Sequence, residues 1–397
     1  RLEPLESWSQ FGRNRDPLGN WFGCQNAKPM FHFVLPDRYL RRNPFVAPPS
    51  SWTLISDEPG QRPVFPQSRP GKFFHASQAG RFTSANSAMI YGDELLGEDF
   101  VGNSFVSEPV HNLVHREIVE RDGATFKSHK PADETHSEFL ASDDTWFRPN
   151  MIRTGPDGAL WVADMYREII EHPHWVSDEL KPLVDVRAGC DRGRIYRIYP
   201  QGASLRAVPR IDQLEAGELV ELLSSPNMTV RDMAHMRIVH EQLRDAVAPL
   251  KALAASGDRE TARVQALSVL DGLGAVDEDV LYAALDDKSP WVRAAAVRLC
   301  ESRKGGLTPL NSAESDPAVR LQTALSLGEF ALPIGGTLLG EMARAHGRDA
   351  YLAAAVNSSL RKENLGPYAD ALLADSREPV AAPLLEGLIA TVIGLED

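Results

Sequence analysis

The rhythm of apolar and polar positions changes once along the chain, near residue 205. Before that point apolar runs are short and broken by Gly, Pro and aromatic residues. After it Ala and Leu dominate and Pro is sparse. The first texture predicts strands with loops and the second predicts α-helix. The clearest strand pair is Met151-Ile152-Arg153-Thr154 and Ala159-Leu160-Trp161-Val162-Ala163-Asp164. Between them lies Gly155-Pro156-Asp157-Gly158, a turn in which Pro presets φ and Gly accepts a positive one. Gly193 to Ile198 predicts a further strand, with Ile195 and Arg197 facing away from Tyr196 and Ile198. Segment 47–71 reads as a long loop rich in Pro and Gly. Turn-bounded strands of this kind recur in β-propeller blades.

The second half repeats itself. A small or capping residue, often Pro, precedes Val-Arg or a variant, then Ala, then Leu. The copies carry Arg231, Arg263, Arg293 and Arg320, spaced 32, 30 and 27 residues apart. Fainter copies start at Asp349-Ala350 and Glu378-Pro379. Asp316 before Pro317 and Ser289 before Pro290 are placed to cap helices whose first residue is Pro. Each helix pair leaves an apolar face that only a neighbour can bury, which predicts a stacked α-solenoid of HEAT-type repeats. The boundaries that follow are a partial β-propeller over residues 1–200, a linker over 201–212 and the solenoid over 213–397.

With 397 residues the chain is too long for one ordinary core. Its net charge of −13 and the lack of a basic stripe argue against nucleic acid. No run of about 18 apolar residues predicts a membrane span. The three cysteines, Cys24, Cys190 and Cys300, form no CxxC, so neither a zinc knuckle nor an attached haem is encoded here.

Several blocks together carry a family resemblance. They are Phe22-Gly23-Cys24-Gln25-Asn26, Leu35-Pro36-Asp37-Arg38-Tyr39-Leu40-Arg41-Arg42-Asn43-Pro44, Gly102 to Arg116, and Trp146-Phe147-Arg148-Pro149. The densest runs from Gly155 through Asp164-Met165-Tyr166-Arg167 to His172-Pro173, and Pro226-Asn227 opens the first helical repeat. With these the chain resembles the predicted membrane-bound dehydrogenases of planctomycete and verrucomicrobial bacteria. Those proteins join a quinoprotein-like propeller, HEAT repeats and a cytochrome c domain.

The resemblance implies a periplasmic or extracytoplasmic internal fragment of a sugar or alcohol dehydrogenase. Its cofactor would be pyrroloquinoline quinone (PQQ), with Ca2+ as a companion ion. Electrons would pass to a cytochrome c domain or carrier outside this chain. It also implies early blades preceding Arg1, without which the propeller cannot close, so the fragment alone is expected to be inactive. Relatives often carry a Cys near Asn86 or Ser87 and another where Ser107 stands; this chain has neither.

Quinone chemistry needs cations for the cofactor carboxylates and a base near the substrate hydroxyl. Arg148, at a loop-to-strand boundary, is the first candidate for a carboxylate; the alternative is an Arg stacked on an aromatic ring. Asp164, Tyr166 and Arg167 follow a strand and would face a central channel, or they form a salt-bridged loop staple with Asp164 paired to Arg167. His111 and His172 are candidate bases. His111 and His115, four apart, would share a face, with no third metal ligand evident, and core hydrogen bonding is their alternative. No DxDxDG loop occurs for calcium. The rival function is a non-catalytic propeller and HEAT scaffold that binds polysaccharide or protein, the latter on the helical surface.

Overall fold

The computed structural model describes residues 9–57, 63–69, 79–170, 174, 176–179, 181–302, 312–330, 333–374 and 379–396. The N-terminal half is built of three antiparallel sheets. The first contains β1 (Asn14–Arg15), β2 (Trp21–Gln25) and β3 (Lys28–His32). After a short helix, α1 (Asp37–Leu40), the chain returns as its fourth strand, β4 (Thr53–Leu54). The second sheet contains β5 (Asn86–Ile90), β6 (Ser104–Glu108), β7 (Leu113–Asp122) and β8 (Thr125–His129), and β9 (Leu140–Ala141) pairs with β7. The third contains β10 (Pro149–Thr154), β11 (Leu160–Asp164) and β12 (Arg194–Ile198). Within each sheet the main strands pair in sequence order, as an up-and-down meander.

The period of two along each strand explains how the sheets stack. All five residues of β5 are buried. Ala88 and Ile90 join Phe22, Cys24, Met30, Val106 and Leu113 in a core between the first and second sheets. Met89 of the same strand joins Phe105, Val114, Ile152, Leu160 and Val162 between the second and third. The second sheet is thus apolar on both faces, and the three do not close into a barrel.

The Gly155-Pro156-Asp157-Gly158 turn joins β10 to β11 as expected, with Gly155 N–H donating to the Ala159 carbonyl at 2.8 Å. Gly158 sits at φ +93, where a side chain would be strained. On β12, Ile195 and Tyr196 do point to opposite faces, and Ile195 is 70% exposed.

Eleven helices follow among the described residues: α2 (Ala216–Leu222), α3 (Met228–His240), α4 (Val247–Ser256), α5 (Glu260–Gly272), α6 (Glu278–Leu285), α7 (Pro290–Cys300), α8 (Pro317–Leu327), α9 (Pro333–His346), α10 (Ala350–Ser359), α11 (Leu365–Leu373) and α12 (Ala382–Glu396). They share one continuous apolar core. Asp316 caps α8 by accepting from the Ala318 and Val319 amides. Ser289 precedes α7 as expected but does not cap it; its hydroxyl donates instead to Glu260.

The four repeated arginines do one job four times. Arg231, Arg263, Arg293 and Arg320 each donate from Nη1 to the carbonyls six and five residues back, tying the helix to the loop before it. Arg263 also grips Asp287 with Nε at 2.8 Å and Nη2 at 2.9 Å. Arg293 grips Glu314 in the same way, at 3.0 and 2.9 Å. Asp287 and Glu314 each stand six residues before the next arginine, so the carboxylate of one repeat serves the guanidinium of the one before. Arg320 shows the carbonyl bonds without this grip, and so does Arg231, for which Gly257 occupies the corresponding position. The Arg231 Nε is buried without a partner, and burial pushes its pKa down to about 10.

The two halves are packed together. Val34, Leu35, Tyr39 and Leu40 belong to the helical core, not to the sheets. Tyr39 donates to Glu301 at 2.7 Å, Arg42 pairs with Glu329 at 3.0 Å, and Asn43 Nδ2 donates to the Asn357 carbonyl at 2.9 Å and Thr391 at 2.8 Å. The Leu35-to-Pro44 block is therefore an anchor into the helices. A second anchor lies at Asp93, which accepts from Arg206 and, at 2.6 Å, from Asn227, the N-cap of α3. Among the described residues no helix is long and apolar enough to cross a membrane.

Candidate functional site

At one end of the second and third sheets four segments converge: 109–112, 142–148, 165–168 and 187–194. Hydrogen bonds tie them together. Arg148, just before β10, donates from Nε to the Arg167 carbonyl at 3.0 Å. Its Nη1 goes to the Pro109 carbonyl at 2.8 Å and its Nη2 to the Glu168 carbonyl at 2.8 Å. Burial pushes its pKa down to about 10, against the raising effect of Asp144 and Asp164. All three guanidinium nitrogens thus serve main-chain carbonyls, which is the chemistry of a staple between loops.

Asp164, at the end of β11, is 2% exposed. Its Oδ1 accepts from the amides of Arg148 and Tyr166, both at 2.8 Å. Its Oδ2 is buried with no hydrogen-bond partner. Arg167 donates to the carbonyls of Met165 at 3.0 Å and Tyr166 at 3.1 Å, and to that of Gly189. The expected Asp164 to Arg167 ion pair is therefore replaced by two separate sets of main-chain bonds. A carboxylate two residues before an amide is well placed for such a local turn, and it takes that bond first.

The structure brings Arg148, Asp164, Tyr166 and Arg167 into one network, and His111 lies beside it. His111 Nδ1 faces Glu108 Oε1 at 3.1 Å, while Nε2 accepts from the Gly80 amide at 3.1 Å. Accepting from an amide leaves the ring proton on Nδ1, so both nitrogens are engaged. His111 sits in the turn before β7 and His115 within that strand. They reach different carboxylates and do not converge as metal ligands. His172 lies outside the described residues. Among those described, no group of three or more His, Cys, Asp or Glu side chains is placed to hold a metal ion.

The residues expected to hold PQQ do not fit that role as arranged. A quinone carboxylate needs a guanidinium edge turned toward it, and that of Arg148 is turned toward carbonyls. Asp164 Oδ2 is a single buried oxygen, short of the six to eight that calcium takes.

What the network holds in place is Tyr166. This residue adopts φ +48, and Gly189, at φ +87, lies against its carbonyl, where a Cβ would collide. The Tyr166 ring stands 5.6 Å from that of Trp146, and the Arg194 guanidinium lies over it with Cζ 3.8 Å from the ring centre. Arg194 Nη1 also donates to Tyr196 Oη at 3.1 Å, and Tyr196 rests edge-on against Phe147 at 5.9 Å. The sequence signal for this shelf was the alternation of Arg194 and Tyr196 on one face of β12.

A second cluster realises the core hydrogen bonding weighed for His115. His115 is fully buried between Glu138, at 2.7 Å from Nδ1, and Glu117, at 3.1 Å from Nε2. Lys130 reaches Glu138 at 3.2 Å, and Ser128 donates to Glu117. Burial alone would lower the His115 pKa, but the charges and hydrogen bonds of the two carboxylates outweigh it and hold the pKa above the ordinary value. Glu117 was findable, being two residues along the strand and so on the same face. Glu138 arrives from a distant loop.

A search of curated proteins finds no match. A family model described as a domain of unknown function, DUF7133, matches residues 1–202, which include all three sheets and the network around Tyr166. The chain belongs to the DUF7133 family.

Proposed function

We propose that the protein is a non-catalytic binding scaffold, in which the three sheets are consecutive blades of a β-propeller and the helices a row of HEAT-type repeats. On this reading the converging loops present a surface to a polysaccharide, and the helices hold the sheets in place through the anchors at Tyr39, Asn43 and Asn227. The observation that carries it is the use made of Arg148, Asp164 and Arg167. Their polar groups fix the backbone of residues 165–168, which carries the half-buried Tyr166 ring beneath Arg194, and the Arg194 and Tyr196 side chains are exposed. A dehydrogenase would need those same groups free for a quinone.

The test is direct. The full-length protein, with any blades that precede residue 1, is incubated with PQQ and Ca2+, and bound quinone is measured by equilibrium dialysis. Dye reduction is then followed with a panel of sugars and alcohols. The scaffold reading expects no saturable quinone uptake and no dye reduction. Stoichiometric uptake that is lost in Arg148→Lys, together with sugar-dependent dye reduction, would overturn it in favour of the dehydrogenase.

A further inference from the structure

The shelf formed by Trp146, Tyr166, Arg194 and Tyr196 has a feature that an ordinary surface patch lacks. Arg194 is exposed, yet its guanidinium is pinned at two points, over the Tyr166 ring at 3.8 Å and on Tyr196 Oη at 3.1 Å. Exposed arginines usually sample many rotamers and lose that freedom when they bind. Here the planar group is already oriented, on a residue that stays exposed to solvent. The backbone beneath it is organised for this purpose. Tyr166 sits at a positive φ, Gly189 makes room for its carbonyl, and Asp164 and Arg167 hold its amide and carbonyl. Strained backbone that is over-determined by its surroundings is a mark of a functional position.

A fixed guanidinium edge recognises a planar anion with two oxygens. The neighbouring ring of Tyr196, 37% exposed, offers an apolar face of the kind that stacks on the C–H side of a sugar ring. We propose that this shelf binds an acidic polysaccharide, with Arg194 holding a uronate carboxylate and Tyr196 packing against the sugar. The inference rests on the scaffold reading and names its ligand class. The overall charge of −13 makes the expectation demanding, because the chain as a whole repels polyanions.

The experiment is affinity electrophoresis of the full chain in gels containing polygalacturonate, its fully methyl-esterified form, or neutral dextran. Polygalacturonate should retard the chain, while the ester and dextran should not. Arg194→Ala should weaken the retardation at least tenfold. Arg194→Lys should weaken it nearly as much, because an ammonium keeps the charge but loses the planar edge and the stack. Both variants lie on the surface and should keep the wild-type circular dichroism. Absence of retardation by polygalacturonate overturns the proposal and leaves the shelf to a protein partner. Equal retardation by the methyl ester overturns the carboxylate assignment, and retardation unchanged in Arg194→Ala overturns the site. None of these results would bring quinone uptake or dye reduction with it, so failure here is distinguishable from failure of the scaffold reading.

Discussion

Replacing His115 with Gln tests the buried charge cluster most sharply. In the native chain the His115 ring separates two carboxylates, with the Glu138 side chain fully buried and that of Glu117 only 1% exposed. Gln can donate to one carboxylate and brings no positive charge. The other loses its charged partner in a buried setting, while Lys130 and the Phe65 amide stay on Glu138 and Ser128 stays on Glu117. Breaking a buried pair in this way costs about 3–5 kcal/mol, which corresponds to a fall in the urea midpoint on the order of 1 M. The pH dependence adds a second signature. The His115 pKa is raised in the folded chain, so its contribution is complete below the unfolded value of about 6.5 and is lost as pH rises through the folded value. Burial would raise the Glu138 pKa, but His115 outweighs it and the pKa is lowered. Its contribution is therefore present above the unfolded carboxylate value and is lost as pH falls through the folded one. The urea midpoint, followed by tryptophan fluorescence between pH 4 and 10 (a range of about six units around these values), should show a plateau with an alkaline fall. In His115→Gln the plateau should be lower and the alkaline fall reduced. A variant as stable as wild type, or one with the same alkaline fall, would refute the charged-histidine account.

Three further outcomes follow from named contacts. Arg263→Met should destabilise by about 3 kcal/mol because it strands the mostly buried Asp287; Arg231→Met, which strands no carboxylate, should cost markedly less, and thermal unfolding of the two variants side by side decides it. Tyr368 is fully buried and its hydroxyl has no partner, so Tyr368→Phe should raise stability by roughly 1 kcal/mol, whereas a lowered Tm would mean that the hydroxyl is satisfied. Asn86 and Ser107 are register partners on β5 and β6, and Asn86 Oδ1 and Ser107 Oγ are both buried without partners. The double variant Asn86→Cys, Ser107→Cys should therefore oxidise to a disulfide closing a loop of about twenty residues, worth ~3 kcal/mol. Thiol titration of the denatured, unreduced variant should then still find only the three native thiols.

Much of the fold was legible because it rests on local rules. The Gly-Pro-Asp-Gly turn needs only its own four residues, and the period of two in β10 to β12 needs only the strand. The arginine spacing worked for a stronger reason. Each guanidinium is tied to carbonyls five and six residues back, so the interaction travels with the motif. What reaches across the chain was not legible. Nothing local says that Tyr39 meets Glu301 or that Asn43 meets Thr391. The block that contains them reads in the sequence as part of the sheet region, and it is buried among helices.

The candidate site shows a different limit. Arg148 stands just before β10, and Asp164, Tyr166 and Arg167 stand at and after the end of β11; they come together because the loops at one end of adjacent strands must meet. Pattern alone could not say what these groups face. A guanidinium aimed at a ligand carboxylate and one aimed at backbone carbonyls have the same sequence signature, since carbonyls belong to every residue. The difference lies in whether the surrounding loops leave their own acceptors unsatisfied. Here Pro109, Arg167 and Glu168 offer carbonyls inside the network, and a buried arginine satisfies those before any external anion. Arg194 stands outside this competition. It sits on an exposed strand, and its closest partners are an aromatic ring and a phenol, neither of which neutralises its charge. Among the described residues no carboxylate is bonded to this fixed cation, and that makes Arg194, more than any of the buried groups, the residue whose chemistry points outward.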